Sequence, residues 1–124
     1  MTKNGDKSTT EKLDLILEAI QEKKGKELVS INLENIHNSI SDYFVICHGT
    51  STTQVDAIAD GVRQNLKQKA GIRAHHVEGT DNCQWVLMDY YEILVHIFLE
   101  EKRNFYNLEE LWADGEIEKI EDVT

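Results

Sequence analysis

The chain has 124 residues, 40% of them hydrophobic and 29% charged, with a formal net charge of −10. That size suits one domain with a core of its own, and the composition excludes a disordered chain. No uninterrupted apolar run approaches the ~20 residues that span a bilayer, and so acidic a chain is repelled at long range by nucleic acid and anionic membrane.

The N-terminus mixes Lys3, Asp6, Lys7 and Glu11 with Ser and Thr. It has neither the apolar centre of a signal peptide nor the acid-poor composition of a transit peptide, so the expected location is the cytoplasm. Cys47 and Cys83 form no spaced pair and are read as reduced thiols. Residues 1–8 read as a flexible N-terminus, 9–114 as the domain and 115–124 as an acidic tail. Residues 100–124 hold nine acidic side chains and three basic ones. There is no Lys/Arg stripe on which to seat phosphates, so no direct nucleic-acid contact is expected; near RNA, the partner should be a basic protein.

Thr9 or Thr10 can cap a first helix whose apolar stripe is Leu13, Ile16, Leu17 and Ile20. Lys23, Lys24 and Gly25 suit its C-terminal end. Residues 27–33 alternate, Leu28, Ser30 and Asn32 against Val29, Ile31 and Leu33, which predicts a half-buried strand. Asn35 to Ser41 is turn-like. Tyr43 to His48 is apolar on both faces and should be central in its sheet. Gly49 ends it, and Thr50 or Ser51 caps a second helix carrying Val55, Ile58, Ala59, Val62 and Leu66.

Gly71 breaks that helix. Ile72 to Val77 predicts a short strand, and Glu78 to Gln84 a loop. Trp85 to Phe98 reads as two strands turning near Tyr91-Glu92, and Asn107 to Trp112 as a short last helix. Together they predict an α/β domain: a mixed five-stranded sheet, two main helices and a short C-terminal helix. Two helices rarely cover both faces of such a sheet, so an exposed apolar patch is expected.

Few residues suggest chemistry. Gly49-Thr50-Ser51 stands where a strand meets a helix and could hold a phosphate, but the motif is short and reads first as a helix cap after a tight turn. No Asp-x-Asp pair is present to hold Mg²⁺. His75-His76, Cys83 and Cys47-His48 match no zinc spacing, and adjacent strand histidines point to opposite faces. Cys47, in an apolar strand, reads as inert packing. His96 shares a face with Leu94 and Phe98 and reads as a hydrogen-bonded histidine at the core edge. No catalytic residue, cofactor or metal is expected. In the last segment Phe105, Leu108, Leu111 and Trp112 are expected to pack down, leaving Arg103 and Tyr106 accessible. In the hairpin, Trp85, Leu87 and Asp89 share one face, and Val86, Met88 and Tyr90 the other.

Several stretches resemble the ribosomal silencing factors, or Iojap-like proteins: Ser41-Asp42-Tyr43-Phe44-Val45-Ile46, Gly49-Thr50-Ser51, Gln54-Val55-x-Ala57-Ile58-Ala59-Asp60 and Glu78-Gly79. The match continues through Trp85-Val86-Leu87-x-Asp89-Tyr90, Val95-His96-Ile97-Phe98, Arg103-x-Phe105-Tyr106-x-Leu108-Glu109 and Leu111-Trp112-x-Asp114. It spans roughly residues 10 to 114, and its specificity lies in the order and spacing of the stretches. The family usually has Gly-Asp where this chain has Tyr91-Glu92.

The resemblance implies a nucleotidyltransferase-like fold without the activity. It also implies binding to the fourteenth protein of the large ribosomal subunit, which blocks joining of the small subunit and silences translation when nutrients are short. On that reading Trp85, Asp89, Tyr90, Tyr91, Glu92, Arg103 and Tyr106 contact the partner. The rival readings are a nucleotidyltransferase-fold enzyme, a large-subunit assembly factor and a homodimer joined through the exposed sheet.

Overall fold

A capping box starts the first helix, α1 (Thr9–Glu22): Ser8 Oγ accepts the Glu11 N–H at 3.2 Å while the Glu11 carboxylate accepts the Ser8 N–H at 3.1 Å. The cap is Ser8 rather than Thr9 or Thr10 because only Ser8 has a glutamate at the third helical position. The computed structural model describes residues 8–36 and 39–121; the expected flexible N-terminus lies, but for Ser8, outside the described residues.

Strand β1 (Lys26–Asn32) opens on a bulge, with Glu27 at φ 48; Leu28 to Ile31 are all buried, so the strand is covered on both faces rather than half-buried as its alternation predicts. Strand β2 (Tyr43–Gly49) is central, and helix α2 (Thr52–Ala70) follows it, capped by Ser51. Val55, Ile58, Ala59, Val62 and Leu66 are its buried residues, the five that helical spacing picks out. Gly71, at φ 67, ends it in the left-handed turn that glycine adopts without strain.

Strand β3 (His76–Glu78) is shorter than the predicted Ile72–Val77. Strands β4 (Trp85–Asp89) and β5 (Ile93–Leu99) form the predicted hairpin. The last segment contains two short helices, α3 (Glu100–Tyr106) and α4 (Leu108–Leu111), separated by Asn107 at φ 48. That break resets the helical phase, so the expected packing holds for Leu108, Trp112 and Tyr106 and fails for Phe105, Leu111 and Arg103. Leu108 is buried and Trp112 half-buried, but Phe105 and Leu111 are exposed, and Arg103 is buried.

The sheet has six strands, in the order β3-β4-β5-β2-β1-β6, where five are expected. The sixth, β6 (Glu116–Lys119), comes from the segment read as an acidic tail and pairs antiparallel with β1. Gly115 permits the return: a Cβ there would lie 2.6 Å from Ile31 and 2.9 Å from Leu33. Only β2 and β5 are parallel neighbours, so the sheet is mixed.

Both main helices pack on one face, over Val45, Cys47, Val86, Met88, Tyr90, Val95 and Ile97. The second face carries Val29, Ile31, Phe44, Ile46, Leu94 and Phe98, roofed over β1 and β2 by Leu108 and Trp112. Over β3 and β4 the roof ends.

Candidate partner-binding face

Cross-strand register arranges the second face in rows. His76, Asp89, Leu94, Phe44, Ile31 and Ile117 form one; Glu78, Leu87, His96, Ile46, Val29 and Lys119 form the next. Trp85 and Phe98 begin a third. Along the second row, Val29, Ile46 and His96 are buried, Leu87 is half-buried and Glu78 exposed. The face is thus apolar and covered toward its centre, and partly open with carboxylates toward β3.

Trp85 is the largest side chain on the open part and is half-buried. Its indole stacks on Phe98, with centroids 4.9 Å apart, and packs against Tyr106 at 4.6 Å. Its Nε1–H donates to His96 Nδ1 at 3.2 Å. Asp89 Oδ1 accepts the Tyr91 N–H at 2.7 Å, which leaves Oδ2 with no partner among the described residues.

Tyr91 is exposed at φ 71, the left-handed conformation that the family's usual glycine adopts freely. For tyrosine it costs roughly 1–2 kcal/mol. Two contacts offset that cost here: the Asp89 bond to its N–H, and its hydroxyl 2.9 Å from His75 Nδ1 beneath a tilted ring contact.

Trp85, Asp89, Tyr91 and Tyr106 therefore present surface near one another; of the other three candidates Tyr90 and Arg103 are buried, and Glu92, its side chain 37% exposed, is turned to α1. Tyr90 is only 1% exposed and points to the helix side of the sheet, as strand alternation requires. Burial pushes its hydroxyl up to about 12. Glu92 is tied to Lys12 of α1 at 2.9 Å, and its carbonyl accepts the Asp42 and Tyr43 N–H groups. Arg103 is 5% exposed; it pairs with Glu109 at 2.8 Å and donates to the Lys26 carbonyl at 3.2 Å, with His48 Nδ1 3.0 Å away. It staples α3 and α4 to β1 and β2, so its role is to hold Tyr106 in place rather than to face outward.

Leu87 and His96 belong to this face and were not assigned to the site. The period-two pattern put Leu87 with Trp85 and Asp89, but an aliphatic side chain carries no signal of exposure. His96 is 5% exposed, and burial lowers its pKa to about 4, so it is neutral at pH 7. Nδ1 accepts from Trp85, which puts the proton on Nε2; that atom is buried with no partner among the described residues.

At Gly49-Thr50-Ser51, two of the N–H groups that could meet a phosphate are occupied. Thr50 N–H donates to Gln54 Oε1 at 2.8 Å and Gln54 N–H to Ser51 Oγ at 3.1 Å. Cys47 is enclosed in the core and burial raises its thiol to about 12, far from a nucleophile's range. Among the described residues no three His, Cys, Asp or Glu side chains are placed to hold a metal ion, and no helix is long and apolar enough to cross a membrane.

Fold and site together define an α/β domain with the two main helices on one side of a mixed sheet and, on the other, a partly uncovered aromatic strip edged with carboxylates. The model of the family described as "ribosomal silencing factor during starvation" matches residues 6–124. The ribosomal silencing factor RsfS of Halalkalibacterium halodurans is 39% identical over 116 residues, 94% of this chain and 97% of that protein. A crystal structure of a protein from Chromobacterium violaceum superposes with a TM-score of 0.81 at 31% identity, covering 86% of this chain and 88% of that one. A mouse protein named "mitochondrial assembly of ribosomal large subunit protein 1" is 27% identical over 104 residues, 82% of this chain and 45% of its own length. The chain belongs to the ribosomal silencing factor family.

Proposed function

We propose that the chain represses translation by binding the large ribosomal subunit through its fourteenth protein and excluding the small subunit, acting in the cytoplasm under nutrient limitation. The observation that carries this reading is the open strip over β3 and β4. Trp85 supplies aromatic area, Leu87 extends it, and Asp89 offers an uncommitted carboxylate oxygen to a basic side chain. Tyr91 and Tyr106 edge the strip. The action is steric and needs no catalytic group. The mouse relative's name, which speaks of large-subunit assembly, favours the same subunit and supports assembly as a second role for the face.

Truncating a central anchor typically costs about 2 kcal/mol, roughly thirtyfold in affinity. Trp85→Ala, checked for folding by circular dichroism, should therefore co-sediment poorly with purified large subunits and fail to block subunit joining. Asp89→Lys, which keeps Trp85, should do the same against a basic partner. Parental behaviour in both variants, or unimpeded joining at saturating wild-type protein, would remove the reading.

A further inference from the structure

The net charge of −10 hides a basic cleft on the other side of the β3 edge. A cleft of about 480 Å³ lies between the C-terminal half of α2 and the segment that leads into β3. It is lined by Arg63, Lys67 and Arg73, with Asp60 the one carboxylate among its walls. Arg63 and Lys67 stand one helical turn apart, and the left-handed Gly71 reverses the chain so that Arg73 comes back beside them. Asp60 offsets Arg63, at 3.3 Å. Lys67 and Arg73 have no hydrogen bond or ion pair to any side chain among the described residues. The chain has three arginines; two line this cleft, and the third is the buried Arg103.

Uncommitted cations in a concave site call for an anion, and guanidinium groups suit phosphate. The cleft lacks what a nucleotide site needs. No aromatic side chain among the described residues lines it to stack a base. A backbone of linked phosphates, gripped without regard to sequence, fits better. Val77 faces the cleft side of β3, while its neighbours His76 and Glu78 face the strip that holds Trp85 and Asp89.

We infer that this cleft seats RNA phosphates, so that the β3 edge meets a basic protein on one side and ribosomal RNA on the other. The inference rests on the ribosome-binding reading above and departs from the protein-only contact that the overall charge suggests.

The test is the salt dependence of binding to purified large ribosomal subunits, comparing wild type, Lys67→Gln/Arg73→Gln and a control with the same charge change at exposed sites elsewhere, Lys23→Gln/Lys24→Gln. Each lost phosphate contact should flatten the slope of log Kd against log salt by about one. The cleft variant should therefore lose about two, and the control none. Trp85→Ala should weaken binding at every salt concentration with its slope unchanged. An unaltered slope in the cleft variant, or an equal loss in the control, overturns the inference and leaves the protein interface standing. Absence of wild-type binding overturns both. Saturable binding of ADP by calorimetry, lost in the cleft variant, would make the ligand a free nucleotide and overturn the RNA assignment.

Discussion

Trp85 and His96 meet diagonally across the β4–β5 ladder, indole Nε1–H to imidazole Nδ1 at 3.2 Å. The bond needs a neutral imidazole, because a protonated ring has no acceptor to offer. The buried ring and the half-buried indole are thereby one unit.

This unit makes the fold acid-sensitive in a defined window. His96 is held down at about 4, against an ordinary value near 6.5. Between those values the unfolded chain binds the proton and the folded chain does not, so stability falls as pH drops from about 6.5 to 4 and this group's loss is complete below that. The slope reaches about 1.4 kcal/mol per pH unit. Urea unfolding over that range should show it, and His96→Phe should flatten it.

Gly79 tolerates no side chain. It sits at φ 88, and a Cβ would lie 2.0 Å from the Trp85 carbonyl oxygen. The obstacle is backbone, so the strand itself must give. Gly79→Ala should cost about 3 kcal/mol and weaken partner binding by displacing Trp85. Gly71→Ala is the control: its φ is 67 but nothing lies within 4 Å, so only the backbone strain of about 1–2 kcal/mol remains. Thermal melts of the two variants should differ accordingly.

Arg103→Met separates a structural from a partner-contacting role. Arg103 is 5% exposed and Glu109 30%, so losing the cation leaves a partly solvated carboxylate and buried acceptors without their donor, at a cost of about 1–3 kcal/mol. The variant should unfold at lower denaturant and lose hydrogen-exchange protection in α3 and α4. A folded variant of parental stability that no longer binds large subunits would return Arg103 to the interface.

Asp89→Asn tests charge without disturbing shape. The amide oxygen can still accept the Tyr91 N–H, so stability should change little. Loss of the carboxylate should weaken binding to a basic partner by about tenfold, with a shallower salt dependence. Equilibrium binding at two ionic strengths checks both.

Much of the fold was legible because its signals are periodic. The five buried residues of α2 recur at helical spacing, and strand alternation separated Trp85, Leu87 and Asp89 from Val86, Met88 and Tyr90. The same rule already placed Tyr90 away from the working face, yet its aromatic character and position at the turn kept it among the site candidates. Arg103 was misread for a related reason. A cation in a polar segment ordinarily stays in water, and nothing local announced that His48, Glu109 and a β1 carbonyl would gather around it. The sixth strand was hidden because its burial pattern is solvent-exposed throughout; only pairing with β1, distant in sequence, makes it a strand. The basic cleft was invisible to a charge tally, which sums what a fold keeps apart.

That sixth strand also governs how molecules of this protein treat one another. An edge strand offers unpaired amides to any neighbour, and proteins guard such edges with charge. Here Glu116 and Glu118 stand exposed on β6, with Lys119 beside them. At neutral pH two such edges repel. A few glutamates at the rim of the sheet thus guard it against pairing with a second copy.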